Sequence, residues 1–204
     1  MQRIVVLGAS GQTGAQVVAQ GLARGYEVTA FVRDPSKAAS KLPKGALVVQ
    51  GDGLSASQVA IAVAGHDAVV VAVGDRRTLV SGPIIRNVIA GMKAANMRRV
   101  ILLSAYGAGD SGHGFQGFMF RTALRKLNAD KMAAEQALTD SGLDWTAVRA
   151  VALSNKPATG RVRTALDGKV SGFRPISRAD LATFMLDEID RRAFVRKRPI
   201  LYAA

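Results

Sequence analysis

Cysteine is absent from this chain of 204 residues, and histidine occurs only as His66 and His113. The lack of cysteine excludes disulfides, thiolate metal sites and a cysteine nucleophile, and two histidines are too few for a typical histidine-based metal centre. No apolar stretch approaches the roughly 20 residues that cross a membrane, and no charged leader precedes a signal-like segment. We therefore expect a cytoplasmic protein without a metal and without a membrane anchor.

Acidic residues are also scarce: 15 stand against 28 lysines and arginines, which gives a formal net charge of +13. Such an excess of positive charge is typical of proteins that bind nucleic acids. However, the basic residues are scattered, and aromatic residues, only 5% of the chain, do not alternate with them as in a base-stacking surface. An arginine-rich solvated surface accounts for the charge, and its field also attracts anionic small molecules. We do not expect nucleic-acid binding; a monomer and a small homo-oligomer both remain open.

Strand-like and helix-like runs alternate along most of the chain. Predicted strands occupy residues 3–7, 27–32, 46–50, 67–73, 99–104 and 145–149, and predicted helices include residues 15–23, 55–63, about 83–96 and about 122–140. The strand runs are almost continuous in valine and alanine, as in parallel strands that are covered on both faces. The pattern predicts an α/β protein with a doubly wound parallel sheet of six or more strands, the Rossmann fold.

We expect one domain over residues 1–204, in which about 151–204 forms a small extension on the substrate side. Residues 160–166 alternate like an exposed strand, and residues 199–202 resemble a last short strand. Between them, Ser177 and Asp180 form a helix-capping pattern.

The glycine-rich turn at residues 8–14, GASGQTG, directly follows the first strand and opens a helix. A helix N-terminus presents unpaired N–H groups and about half a positive charge, and glycines let a pyrophosphate approach the backbone. A glycine triplet alone is weak evidence, but this one lies in the strand–turn–helix context that the mechanism requires. We expect a dinucleotide to bind here; the alternative is a plain strand–turn–helix corner.

Arg33 follows the second strand, at the position where dinucleotide folds meet the adenosine ribose. An acidic side chain there binds the 2′-hydroxyl of NAD, whereas an arginine accommodates the 2′-phosphate of NADP, which a guanidinium matches bidentately. Lys37 adds a second positive charge, but Asp34 could still serve NAD, and Arg33 could simply end a strand in solvent. The pattern favours NADP(H) and leaves NAD(H) as the alternative.

Further motifs carry a family resemblance over nearly the whole chain. They are VRD at 32–34, GD at 51–52, GHDAVV at 65–70, SA at 104–105, SGL at 141–143, LDG at 166–168 and ISRADL at 176–181. With the glycine turn, they make the chain resemble the atypical short-chain dehydrogenase/reductases, in the NAD(P)H-binding NmrA-like group. Within that group it is most similar to the biliverdin-IXβ reductase and NADPH-dependent flavin reductase branch.

The resemblance implies roles for residues at matching positions. Gly8, Gly11 and Gly14 would shape the pyrophosphate turn, with hydrogen bonds from Ser10, Gln12 and Thr13. Arg33 would hold the 2′-phosphate, Asp52 and Leu54 would flank the adenine, and Val73 and Gly74 would pass beneath the nicotinamide ribose. Ser104 would be the active-site serine; the alternative is a hydroxyl that bonds the local backbone.

The chain departs from the superfamily at its acid–base residues. Lys131 fits the lysine of the Tyr-x-x-x-Lys motif and would act at the active site on the nicotinamide ribose, but the tyrosine position is Leu127, which cannot donate a proton. Ala152 aligns where the family reductase carries a histidine, which puts biliverdin reduction in doubt. A solvated helix lysine is the alternative for Lys131.

The remaining chemistry suits hydride transfer from NADPH to a flat conjugated small molecule such as a flavin, a quinone or a biliverdin-like acceptor, which needs little acid–base help. The glycine-rich loop 107–117 and the apolar Phe115, Phe118, Met119 and Phe120 would roof such a site. A non-catalytic NmrA-like NADP(H) sensor is one alternative. An isomerase or dehydratase is another, with Asp110, Ser111 and His113 as its candidate acid–base groups.

Overall fold

The computed structural model of the protein describes residues 1–74, 79–108, 111, 125–168, 170 and 174–204. Its strands are β1 Arg3–Leu7, β2 Glu27–Val32, β3 Leu47–Gln50, β4 Ala68–Val71, β5 Arg99–Ala105, β6 Asp144–Ala150, β7 Leu153–Ser154, β8 Val162–Ala165, β9 Ile176–Ser177 and β10 Ile200–Ala203. Eight form one sheet in the order β3-β2-β1-β4-β5-β6-β10-β8, and β7 pairs with β9 separately. Neighbours in the large sheet run parallel except β10 and β8.

The described helices are α1 Gln12–Ala23, α2 Pro35–Ala39, α3 Ala56–Val63, α4 Ser81–Ala94, α5 Arg125–Thr139 and α6 Arg178–Arg191. They cover both faces of the sheet. On β1, Ile4 and Val6 pack with residues of α1 and α6, whereas Val5 and Leu7 pack with residues of α3, α4 and α5. This two-sided burial confirms the doubly wound parallel sheet that the continuous apolar strands predict. None of the helices in these residue ranges has the length and hydropathy to cross a membrane.

Strand β3 does not share the two-sided burial that its valine-rich sequence predicts. It lies at the edge of the sheet, where Leu47 is 65% and Val48 is 41% exposed. The prediction fails here because composition does not reveal which strand is outermost, and an edge strand has a neighbour on one side only.

Helix α2 was not predicted. It is a single short turn that begins after Asp34, whose carboxylate accepts hydrogen bonds from the amides of Ser36 and Lys37, with Pro35 at the first helical position. Proline and an aspartate cap are the usual chemistry of a helix start. This capping role of Asp34 bears on the choice of cofactor below.

The C-terminal region divides between the two sheets. β8 and β10 extend the large sheet, while β7 and β9 lie just beyond its carboxyl edge. Ser177 caps α6 by accepting from the amide of Asp180 at 2.9 Å, and the Ser177 hydroxyl donates to the Asp180 carboxylate at 2.8 Å. The same carboxylate accepts from the amides of Thr159 and Gly160 and so ties that loop to the helix.

Candidate functional site

The glycine turn after β1 packs too tightly for side chains. A Cβ on Gly14 would lie 2.1 Å from the carbonyl oxygen of Gly8. Gly8 itself has φ +81°, and a Cβ there would lie 2.7 Å from the Ala72 carbonyl oxygen. Both positions therefore require glycine, and the turn lies directly against the end of β4.

Helix α1 begins at this turn with free amides. Gly11 is its N-cap and provides no side-chain hydrogen bond, and its first turn carries no acidic residue. The first helical bond runs from the amide of Ala15 to the carbonyl of Gly11 at 2.9 Å. The amides of Gln12 and Thr13 precede that bond, so this helix end can accept an anion.

A cleft of about 430 Å³ opens along the carboxyl ends of the parallel strands. Predicted site residues that line it are Gly8, Ser10, Gly11, Gln12, Thr13, Arg33, Asp52, Leu54, Val73 and Gly74. It crosses the point between β1 and β4 where the strand order reverses, which is where doubly wound sheets bind ligands. Gly14, Ser104 and Lys131 do not line the cleft.

The end of the cleft beside β2 carries an unpaired cation. Arg33 is exposed, and no described carboxylate pairs with its guanidinium. The neighbouring Asp34 carboxylate is occupied: it accepts from Ser36 and Lys37 and pairs with the Lys37 ammonium at 3.1 Å. Hydrogen bonds from Ser36 and Lys37 lower the pKa of Asp34 to about 2. Arg33 is thus the group in this corner that is available to a ligand.

Asp52 also lines this end of the cleft. Its carboxylate accepts from the amide of Leu54 at 2.9 Å, and the backbone amide of Asp52 donates to the Gln58 side chain. This carboxylate is therefore held by the local turn. Leu54 is half exposed and presents an apolar wall to the same end of the cleft.

The middle of the cleft has a floor at Gly74. Its φ is +108°, and a Cβ there would lie 2.7 Å from the Ser81 hydroxyl and 3.0 Å from the Lys131 ammonium. The Ser81 hydroxyl is fully buried and has no hydrogen-bond partner in the described structure. A floor that only glycine can form and the open end of α1 fit a phosphate-bearing ligand such as a nicotinamide dinucleotide.

Lys131 lies behind this floor. Its ammonium donates to the carbonyl oxygens of Val73 at 2.8 Å and Leu103 at 2.9 Å. Burial lowers the pKa of Lys131 to about 8, although the charges of Asp130 and Glu135 oppose the shift. The lysine is therefore not solvated, and it fastens the strand ends that form the cleft wall.

We predict a pH signature for this burial. The unfolded chain binds the Lys131 proton up to about pH 10.5 and the folded chain only up to about pH 8, so Lys131 makes the free energy of unfolding rise with pH in that window. Urea unfolding between pH 7.5 and 10 should show this rise in the wild type but not in Lys131→Met. Lys126→Met, at an exposed position of α5, is the matched control and should follow the wild type. Parallel curves for all three proteins would contradict the burial.

Ser104 also faces away from the cleft. It is buried, and its hydroxyl donates to Oε1 of Glu135. Arg149 donates to the same oxygen at 3.0 Å and to Oε2 at 2.6 Å. Arg198 donates to the same carboxylate at 3.1 Å. This places Ser104 in a buried polar network between β5, α5 and β6, and not against the local backbone.

Much of the predicted roof lies outside the described residues: Asp110, His113, Phe115, Phe118, Met119 and Phe120. Of the proposed acid–base groups, Ser111 is described, and it is buried. Its hydroxyl accepts from the amide of Gly107 at 2.9 Å and donates to the carbonyl of Ala108 at 2.8 Å. Those bonds give Ser111 a local structural role.

Cleft residues that sequence reasoning missed include Val80, Ile84, Leu103, Leu153 and Arg178. Arg178 belongs to the ISRADL motif, which predicts a helix start and supports the family resemblance but assigns no role to Arg178. Within the described ranges, no cluster of three or more histidine, aspartate or glutamate side chains could hold a metal ion.

Known proteins resemble the chain in sequence and in fold. A family model described as NAD(P)H-binding matches residues 8–192. The uncharacterized sugar epimerase YhfK of Bacillus subtilis is 29% identical over 200 residues, which cover 93% of this chain and 89% of the relative. ChuY, an anaerobilin reductase of Escherichia coli O157:H7, superposes with a TM-score of 0.84 at 24% identity, over 99% of this chain and 97% of ChuY. A provisionally named exported protein of Burkholderia pseudomallei gives a TM-score of 0.85 at 25% identity, covering 99% of this chain and 100% of the other.

Proposed function

The chain belongs to the NAD(P)H-binding family, and from that premise we propose that it is an NADPH-dependent reductase of a flat conjugated acceptor. A flavin, a quinone or a biliverdin-like molecule fits this description. The observation that carries the proposal is the character of the cleft: it offers the anion-binding amides of α1, the cations Arg33 and Arg178, apolar surface between them, and little acid–base chemistry. Among the described cleft residues, Asp52 is the one carboxylate, and the turn at Leu54 already occupies it.

The preference for NADPH rests on Arg33 and Asp34. The Arg33 guanidinium has no carboxylate partner among the described residues, so it can bind a 2′-phosphate bidentately. Asp34 caps α2 and pairs with Lys37, so both oxygens of its carboxylate already have partners within the chain. Both side chains therefore favour NADPH over NADH.

In this proposal, the chain's own residues bind the cofactor and orient it toward the acceptor. When bound, the nicotinamide supplies the hydride and the conjugated acceptor takes it, with protons from solvent. The α1 amides and Ser10, Gln12 and Thr13 hold the pyrophosphate, and Leu103 and Leu153 provide apolar surface at the far end. Stacking, orientation and exclusion of water are the contributions expected of such a site.

Lys131 and Ser104 act here as positioning residues. Lys131 holds the carbonyls of Val73 and Leu103, and its buried charge makes the adjoining floor at Gly74 electropositive. Ser104 joins the end of β5 to Glu135 and so fixes the strand that carries Leu103. Neither side chain donates a proton into the cleft in this arrangement.

Two alternatives draw on particular observations. A non-catalytic NADP(H) sensor of the NmrA-like type would also leave Ser104 and Lys131 buried behind the wall. An epimerase or dehydratase agrees with the name of the YhfK relative. That chemistry needs an acid–base group in the cleft, and Ser111, the described candidate, has a hydroxyl engaged by Gly107 and Ala108.

Initial rates of NADPH and NADH oxidation against FMN, riboflavin, a small quinone and biliverdin test the proposal. We expect turnover of one acceptor class well above the enzyme-free rate, with NADPH preferred. Tight binding of NADPH and NADP⁺ with every acceptor at background would overturn the reductase and favour the sensor. Reversible interconversion of a nucleotide sugar without net cofactor oxidation would favour the epimerase.

A further inference from the structure

Arg178 is a half-buried cation in the cleft with no carboxylate partner among the described residues. Its guanidinium donates to the neutral amide oxygen of Asn155 at 2.7 Å. Two other arginines that contact α6 differ: Arg24 pairs with Asp187 at 2.9 Å, and Arg99 pairs with Glu188 at 3.3 Å. A partly desolvated guanidinium that lacks a counter-charge strongly favours an anion from outside the protein.

The nearest acid along the chain does not neutralise Arg178. Asp180 lies in the first turn of α6, but its carboxylate accepts from Ser177, Thr159 and Gly160. A positive side chain also gains nothing from the dipole at the first position of a helix. The local contacts therefore give Arg178 no evident structural reason to be a cation.

The backbone fixes where Arg178 lies. In the small sheet, Leu153 of β7 is in register with Ile176 of β9, and Ser154 with Ser177. Arg178 follows β9 directly, and its bond to Asn155 continues the same pairing. Its position is thus set by paired strands rather than by a free loop.

This position is remote from Arg33. Arg33 follows β2, whereas β7 follows β6, and the sheet order places β2 and β6 four strands apart. At about 4.8 Å per strand, the two ends of the cleft are roughly 19 Å apart. A cofactor with its 2′-phosphate at Arg33 and its pyrophosphate at α1 leaves Arg178 beside the acceptor.

We propose that Arg178 selects acceptors that carry a phosphate or carboxylate over neutral acceptors with the same ring system. The inference rests on the proposed reductase function, since it assigns the far end of the cleft to the acceptor. FMN and riboflavin are the matched probes, because they share the isoalloxazine ring and differ by the terminal phosphate.

The test uses both kinetics and binding. With saturating NADPH, Arg178→Ala should raise the KM for FMN by about 10- to 100-fold, the loss of one or two charge-assisted hydrogen bonds, and change the riboflavin value by less than about twofold. Flavin-fluorescence quenching in the presence of NADP⁺ should give the same pattern in Kd without turnover. Lys93→Ala, an exposed lysine in the last turn of α4, removes one charge at the end of α4 opposite the cleft and should change neither value.

The outcomes separate the two proposals. Wild-type protein that binds FMN no more tightly than riboflavin, or Arg178→Ala that weakens both flavins equally, overturns the role of Arg178. A rise in the KM for NADPH in Arg178→Ala would assign Arg178 to cofactor binding and would also overturn its role in selecting the acceptor. Absence of flavin turnover in the wild type contradicts the reductase with this acceptor class, while the binding comparison still decides the role of Arg178.

Discussion

Replacement of Arg33 by alanine should raise the KM for NADPH about 100-fold while the KM for NADH changes by less than about twofold, because the lost hydrogen bonds exist only to the 2′-phosphate. The guanidinium lines the cleft without a described acidic partner, so no internal ion pair is broken by the change. Its removal should therefore leave the free energy of unfolding nearly unchanged.

Lys37→Ala is the matched control for this prediction. Lys37 is also basic and close in sequence, but its side chain is 81% exposed and pairs with Asp34. Its loss should raise the KM for NADPH only a few-fold, as expected for an exposed charge. Calorimetric Kd values for NADP⁺ and NAD⁺ give the same comparison without an acceptor. If Arg33→Ala weakened the binding of both cofactors equally, the assignment of Arg33 to the 2′-phosphate would be wrong.

The sequence predicts the frame of the site well, because that frame is made of local patterns. The strand–turn–helix at residues 8–14 and the valine-rich strands each depend on neighbouring residues, and the structure confirms both. The sequence does not predict the direction in which the Ser104 side chain points. Successive residues of a strand point to opposite faces, so Leu103 lines the cleft and Ser104 meets Glu135. Motif position gives the end of a strand, but not which face turns to the ligand.

Arg178 was missed for a related reason. It is separated from the glycine turn by most of the chain, and tertiary contacts bring it to the cleft: the pairing of β7 with β9 and the packing of α6 on α1, where Gln20 donates to the carbonyl of Ala179. The capping pattern of Ser177 and Asp180 already accounts for this segment as a helix start, without reference to a ligand.

The charge excess likewise has a structural component that composition cannot reveal. Asp144 accepts contacts from Arg98, Arg192 and Arg196, at 3.3, 2.7 and 3.9 Å. Arg98 is distant in sequence from Arg192 and Arg196, yet all three arginines share one carboxylate. Part of the basic excess is thus committed to tertiary structure rather than to a partner.

The network around Glu135 carries the second large effect. Its carboxylate is 3% exposed and accepts from Ser104, Arg149 and Arg198. Arg198 also donates to Thr139 at 2.6 Å and lies 4.9 Å from the ring centroid of Trp145. One carboxylate therefore joins α5 to β5, β6 and the segment before β10. Removing its charge leaves the buried Arg149 facing a neutral partner.

We expect Glu135→Gln to lower the free energy of unfolding by about 3 kcal/mol, near the lower end of the cost of breaking a buried ion pair. Gln136→Ala, at the exposed neighbouring position of α5, should stay within about 0.5 kcal/mol of the wild type. Urea unfolding measures both. If Ser104 acts only through this network, the folded Glu135→Gln protein should bind NADP⁺ within about twofold of the wild type, because the substitution lies behind the cleft wall. A loss of NADP⁺ affinity without a loss of stability would instead place Glu135 and Ser104 in the binding machinery.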